Sequence, residues 1–362
     1  MKLLVTLDFP PEIGGIQRYL FDIVRFTFSP DDRVLAGCSG WRTHRISYKE
    51  VQAKIQWVST PFSVFNKKFS CVPLFLHFVK CIRAAPDACE VTCGNVYAAF
   101  VPWIASFFMP IRYAVYTHGT EILFLRKRTF RGWVLKKVLA RAFRLFSNSR
   151  YTASLLKQAG IDKEATIIPP RVVIPSSDGN LPKAPDAAGQ EATTEIPQIL
   201  CVGRLVPRKG FGAALNALAL LPSEFEWQCV IVGDGPLGSA LQALCVEKNI
   251  VHRVAFKKAL SDDELSAQYD RSSLFILPGS REGGVEGFGI VLIEAMAHRV
   301  PVIAGRCGAI AEVLENGACG ILVEPGDVAG LSREIRNLLS DTLLRRRLAA
   351  AAFDRVKRCY AW

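Results

Sequence analysis

Short apolar runs rich in Val, Ile and Leu alternate with segments of helical spacing along nearly the whole chain. Runs at 3–7, 33–37, 55–59, 88–92, 113–117 and 144–147 predict one series of strands. A second series is predicted at 198–202, 228–232, 251–256, 274–277, 300–304 and 321–323. Strands that are apolar throughout, with helical spacers between them, are what parallel sheets covered on both faces require. Between the two series, 175–197 is rich in Pro, Ser, Gly, Ala and acids and has no periodicity, as a linker would be. The pattern therefore predicts an α/β chain of two doubly wound, Rossmann-like domains facing across a cleft. Their expected bounds are 1–174 and 198–345, joined by the linker 175–197 and followed by a C-terminal helix over 346–362. Ligands of such sheets bind beyond the carboxyl ends of the strands.

Composition agrees with two sizeable cores, since half of the 362 residues are hydrophobic and 22% are charged. The longest apolar stretch, 98–111, contains Pro102 and Pro110 and ends at Arg112. It falls short of the ~20 residues a spanning helix needs and is expected to form a buried helix. The first eight residues meet Asp8 too soon for a signal-peptide core. Eleven cysteines without metal-ligand spacing suit reduced thiols in a cytosolic protein. No Asp-x-Asp triplet occurs, which favours chemistry without a metal clamp. The charge is uneven: residues 1–180 hold 25 Lys/Arg against 12 Asp/Glu, and the remainder 20 against 21. The basic first half calls for an anionic partner.

The most informative motif is Glu286-Gly-Phe-Gly-Ile-Val-Leu-Ile-Glu294. A helix starting near Gly287 would turn free N–H groups and a positive dipole end toward a phosphate at Gly287, Phe288 and Gly289. The two carboxylates would accept hydroxyls on either side of it, and a diphosphate between two polyhydroxylated rings is a sugar nucleotide. A second motif, Gly203-Arg204-Leu-Val-Pro-Arg-Lys209-Gly210, ends a predicted strand; Arg204 and Lys209 are spaced to hold two phosphate groups. Their charge would stabilise a leaving nucleoside diphosphate. Weaker signals are the turns Gly14-Gly15 and Gly233-Asp234-Gly235, the loop Gly308 to Glu312, and His118 at the end of a predicted strand. Each of these also reads as an ordinary turn or helix cap.

Together these motifs resemble the retaining glycosyltransferases of family 4, which have the GT-B fold and a Glu-x7-Glu motif in this setting. The form Arg281-Glu-Gly-Gly284 before Glu286 is similar to that of bacterial phosphatidylinositol mannosyltransferases, which use GDP-mannose. The resemblance implies a donor GDP- or UDP-sugar, no further cofactor, and no metal. It places Glu286 on the sugar hydroxyls, Glu294 on the ribose, and His118 beside the transferring sugar. It places Gly14 and Gly15 against the donor diphosphate, and Gly233 and Gly235 beside the nucleoside. The chain departs from the family at Lys258, where relatives have glycine, and at Pro169-Pro-Arg171-Val-Val173, which lacks the usual glycine and acid. Relatives also continue with a further helix beyond the equivalent of Trp362, so a shortened C-terminal end is expected.

The expected acceptor is a lipid-linked sugar or cell-envelope glycan, with no nucleic acid partner. Residues 126–144 hold eight cations and no acid, with Phe130, Trp133, Val134, Val138 and Ala142 at helical spacing. Such a helix lies on an anionic membrane, at the inner face of the cytoplasmic membrane here, or serves as a core helix with a solvated basic side. Two other functions stay open: a sugar-nucleotide epimerase of related fold, and a non-catalytic sugar-nucleotide binder.

Overall fold

The computed structural model describes residues 1–10, 14–39, 51–60, 71–84, 90–126, 129–175, 196–258, 260–282, 284 and 286–362. The chain divides into two compact units, Met1–Pro170 and Arg171–Trp362. Unit 1 carries β1 (Lys2–Thr6), β2 (Arg33–Ser39), β3 (Lys54–Thr60), β4 (Glu90–Cys93), β5 (Tyr113–Thr117), β6 (Arg144–Ser147) and β7 (Ala165–Ile167). Unit 2 carries β8 (Gln198–Val202), β9 (Gln228–Val232), β10 (Val254–Lys257), β11 (Leu274–Leu277), β12 (Val302–Gly305) and β13 (Ile321–Val323). Every pairing is parallel, in the orders β3-β2-β1-β4-β5-β6-β7 and β10-β9-β8-β11-β12-β13. In both sheets the first strand is central and the chain winds outward to one edge, then to the other. Each switch of direction, between β1 and β4 and between β8 and β11, opens a crevice at the carboxyl ends of the strands.

Burial on both faces explains the unbroken apolar runs. In unit 2, Leu200, Val202, Val230 and Val232 enter one apolar cluster and their neighbours Ile199, Cys201, Cys229 and Ile231 enter another. One cluster is closed by the helix Ile290–Ala297 and the end of the helix Thr342–Cys359; the other by the helices Phe211–Ala219 and Val328–Ser340. In unit 1, β1, β2, β5 and β6 are buried along most of their length.

Residues 171–174, grouped from sequence with the first domain, pair instead with the C-terminal end. Val172 N donates to Tyr360 O at 2.8 Å, and Trp362 N to Val172 O at 3.2 Å. The linker 175–197 falls outside the described residues over 176–195. The helix expected at 98–111 extends only over Phe100–Ala105, and Phe107 and Phe108 after it are exposed. Pro110, which cannot donate a helical hydrogen bond, stands just past that end. Among the described residues no helix is long and apolar enough to cross a membrane. The described cysteines are free thiols, most of them buried.

Candidate active site

Three loops at the carboxyl edge of the unit 2 sheet are fastened together around one ion pair. After β8 the chain forms a single 3-10 turn, Pro207–Lys209, before the helix Phe211–Ala219. The carbonyls of Arg208 and Lys209 accept N–H groups of Ser280 and Gly279, in the loop after β11, at 3.0 and 3.2 Å. That loop returns to Glu286, whose carbonyl accepts Ala309 N at 3.0 Å from the loop after β12. Gly308 makes the last junction possible: its φ is +58°, and a Cβ there would lie 1.9 Å from Glu286 O. Enclosed by these loops, Lys209 Nζ sits 2.7 Å from Glu286 Oε2, with both side chains largely buried.

The pair is electrostatically close. Beside that contact, the buried Glu286 Oε2 has no further hydrogen-bond partner among the described residues. Charges removed from water cost heavily unless their remaining hydrogen-bonding capacity is met, so this arrangement stabilises the fold little. A ligand bringing phosphate to Lys209 and hydroxyls to Glu286 would satisfy both. The adjacent Cys307 thiol is pushed up to about 11 by burial and the Glu286 charge, with Lys209 opposing, and stays protonated. Arg204 is exposed, at the lip of the same β8 loop, and has no ion-pair partner among the described residues.

The second carboxylate of the motif has a different holder. The helix spans Ile290–Ala297, three residues later than the predicted start, because Gly289 is the N-cap with φ +88°. Phe288 is buried before it, edge-on to Tyr360 at 5.4 Å, so Gly287 and Phe288 belong to the approach rather than to the first turn. Glu294, on the second turn, accepts the Tyr269 hydroxyl on Oε2 at 2.8 Å. Burial and then the Glu294 charge hold the Tyr269 pKa well above its usual value, so the phenol remains a donor. Tyr269 is backed by the His298 ring, stacked at 5.1 Å, and His298 Nδ1 lies 2.7 Å from Asp270 Oδ1. Sequence reading missed Tyr269 because it looks like any apolar position of the helix Asp262–Asp270.

Gly233 and Gly235 lie at the end of β9. A Cβ at Gly233, φ +148°, would stand 2.0 Å from Gly203 O, so the β8 and β9 loops touch backbone to backbone. Asp234 accepts Gly235 N at 2.8 Å, and Lys258 Nζ lies 3.5 Å from the same Asp234 Oδ1. Both ends of that pair are exposed, so it adds little stability.

The other sequence-derived site residues, Gly14, Gly15 and His118, are in unit 1. Gly14 is extended and precedes the helix Gly15–Thr27. The His118 ring, expected to face a cleft mouth, is turned into the interior of unit 1. Its Nε2 donates to Gly94 O at 2.7 Å, its edge meets Tyr19 at 5.7 Å, and the backbone N–H of His118 donates to Glu121 Oε1 at 2.6 Å. The ring is buried with Nε2 held by backbone, which leaves the residue's main chain, not its imidazole, at the strand end. Around it lies a polar cluster not read from sequence. Asn95 donates to Asp8 and accepts Ala98 N at 2.7 Å, and Gln17 Nε2 lies 3.2 Å from Asp8 Oδ1. Burial raises the Tyr97 pKa; Arg131 opposes this, and Glu121 and Asp8 add to it. Asp8 and Asn95 directly follow β1 and β4, a position that could have marked them.

Comparison with known proteins bears on the fold and the family. Residues 185–355 match the family model "Glycosyl transferases group 1". The chain is 29% identical over 357 residues to the GDP-mannose-dependent alpha-(1-6)-phosphatidylinositol monomannoside mannosyltransferase of Mycolicibacterium smegmatis, covering 94% of this chain and 89% of that protein. Sucrose-phosphate synthase from Thermosynechococcus elongatus superposes with a TM-score of 0.81 at 20% identity, covering 100% and 94% of the two chains. Anabaena HepE in complex with UDP-glucose does so with a TM-score of 0.79 at 22% identity, covering 100% and 96%. The Mycolicibacterium smegmatis relative is a mannosyltransferase, which favours glycosyl transfer over the epimerase and silent-binder readings. Residues 185–355, within unit 2, form a glycosyl transferases group 1 domain, and the chain has the GT-B fold.

Proposed function

We propose that this chain moves a mannosyl group from GDP-mannose, with retention of anomeric configuration and without a metal, to a lipid-linked mannoside of the phosphatidylinositol type. The named substrates of the Mycolicibacterium smegmatis relative support the donor and acceptor. The observation that carries the reading is the buried Lys209–Glu286 pair, enclosed by three loops at the carboxyl edge of the unit 2 sheet. Donor binding by unit 2 exchanges Glu286 for phosphate at Lys209 and frees Glu286 for the sugar hydroxyls. Arg204 folds onto the second phosphate from the exposed lip, and Glu294, oriented by Tyr269, takes the ribose. As the glycosidic bond lengthens, negative charge grows on the leaving diphosphate. Lys209, Arg204 and the helix mouth at Gly289 stabilise it there, the role a metal plays elsewhere. Catalysis is then mainly positioning and electrostatics, with same-face attack by the acceptor hydroxyl.

Unit 1 takes the acceptor, and the chain works on the cytoplasmic face of a membrane, which it meets through 126–144. The deciding experiment is a thermal-shift screen against GDP- and UDP-sugars, followed by donor hydrolysis on the best hit. Lys209→Ala and Glu294→Ala should each abolish the shift. An undiminished shift in both removes the pocket. Activity that survives EDTA, and an α-linked product by NMR, test the metal-free and retaining assignments separately.

A further inference from the structure

Unit 1 exposes a band of aromatic side chains that its core does not use. Phe108 is 83% exposed and Phe130 80%, and Phe107, Trp133 and Phe143 are each more than half exposed. The sequence stripe had assigned Phe130, Trp133 and Val134 to the apolar side of this helix. In the structure the core side of the helix Phe130–Arg141 is Leu135, Val138 and Leu139, and Trp133 shares the outer face with Lys137 and Arg141.

Cations cover much of the band. Phe130 stacks on Trp133 at 5.9 Å between centroids, and Lys137 lies 5.7 Å over the Trp133 ring. Arg141 donates to the Ser106 hydroxyl and carbonyl at 2.8 and 2.9 Å and covers Phe107 at 4.6 Å, tying the helix to the loop after Phe100–Ala105. Arg112 covers Phe143 at 3.7 Å. One end lies by Tyr97, beyond the carboxyl end of β4, where Arg131 sits over the ring at 4.9 Å; the other lies just before β5 and β6. Residues 97–150 hold ten Lys/Arg and a single acid, Glu121, which is buried.

We propose that this surface docks on an anionic phospholipid bilayer, with Phe107 and Phe108 inserted among the acyl chains and the flanking cations at the lipid phosphates. Exposed aromatic tips ringed by cations suit the boundary between hydrocarbon and headgroups, where both demands are met. A second copy of the chain suits them poorly, because it would set one acid-free basic face against another. The inference rests on the membrane contact proposed above for 126–144 and extends it. The contact becomes an insertion that includes a loop outside that segment, and it lays the helix along the membrane with its Tyr97 end at the acceptor rim.

The test is co-sedimentation of the full chain with phosphatidylglycerol/phosphatidylcholine vesicles across a salt series, with brominated acyl chains to quench tryptophan. Phe107→Ser with Phe108→Ser should weaken binding about 30-fold, about 2 kcal/mol at 1.4 kcal/mol per tenfold, at low and high salt alike. Arg131→Glu with Lys137→Glu should remove only the salt-sensitive part, roughly fivefold per cation. Bromolipid quenching should shrink in Trp133→Phe. An unchanged donor-induced thermal shift shows that the variants are folded. If the parent chain binds no anionic vesicle, the membrane contact and this inference both fall. If it binds and the phenylalanine variant binds equally, the insertion alone is overturned. A parent that is dimeric by light scattering, and made monomeric by the same substitutions, would overturn it too.

Discussion

Lys209 and Glu286 form a pair whose members depend on one another, and this separates their structural from their chemical work. Removing only the lysine strands a buried carboxylate, so Lys209→Met should destabilise the chain by about 2 kcal/mol in urea unfolding. Adding Glu286→Gln removes the stranded charge and should restore most of that stability. Donor binding should not return in the double variant, because neither the phosphate cation nor the sugar carboxylate is present. Recovery of donor binding along with stability would mean that the pair is only a strut. Tyr269 offers a finer probe. Tyr269→Phe keeps the stacking on His298 and deletes one donor to Glu294, so the donor KM should rise roughly tenfold, the worth of a hydrogen bond to a charged group, with kcat little changed. A lowered kcat at unchanged KM would place Tyr269 in another role.

At the level of elements, strand positions were legible because both sheets are covered on two faces, which leaves long apolar runs in the sequence. β5, β6, β8, β9, β11 and β13 fall on the predicted residues. β7 was not read: it is three residues, Ala-Thr-Ile, at a sheet edge, and only half buried. β10 is shorter than predicted because 251–253 forms a 3-10 turn before it. Within the site, the Lys209 and Glu286 loops could be read from charge and glycine spacing. The partners that orient them could not, because Tyr269 and the Gly308–Glu286 contact exist only once distant loops pack. Elements are also tied by single carboxylates. Asp32 accepts Lys2 N at the start of β1 at 2.5 Å, and the Ser29 N–H and hydroxyl at 2.9 and 3.1 Å. Burial acts to raise its pKa, but these hydrogen bonds outweigh it and hold the value below the usual 3.8. A lowered folded pKa contributes stability that is present above 3.8 and lost as pH falls through the folded value. The urea midpoint of Asp32→Asn should therefore lie below that of the parent at pH 6, and the gap should close on the acid side of pH 3.8. A gap that stays constant with pH would deny Asp32 this role.

At the scale of the whole molecule, the two units differ in charge and in what they are proposed to bind, and each has its own sheet. Both apolar clusters described for unit 2 are built from residues between Val172 and Tyr360. A ligand held by unit 2 alone should stabilise that unit alone. At one hundred times its dissociation constant a donor nucleotide contributes about 2.7 kcal/mol to the unit that binds it. For a unit of this size that corresponds to a rise in melting temperature of about 5–10 °C. Calorimetry of the full chain should therefore show a transition that moves up with the donor and another that does not, and the Lys209→Ala variant should show neither moving. A fragment of residues 171–362 should reproduce the mobile transition but transfer no sugar, since the proposed acceptor site lies in unit 1. If the donor instead moves a single transition of the whole chain, and the fragment gives no shift, the nucleotide site needs residues from both units. Donor recognition would then have to include Gly14, Gly15 and His118 as fully as Lys209 and Glu294.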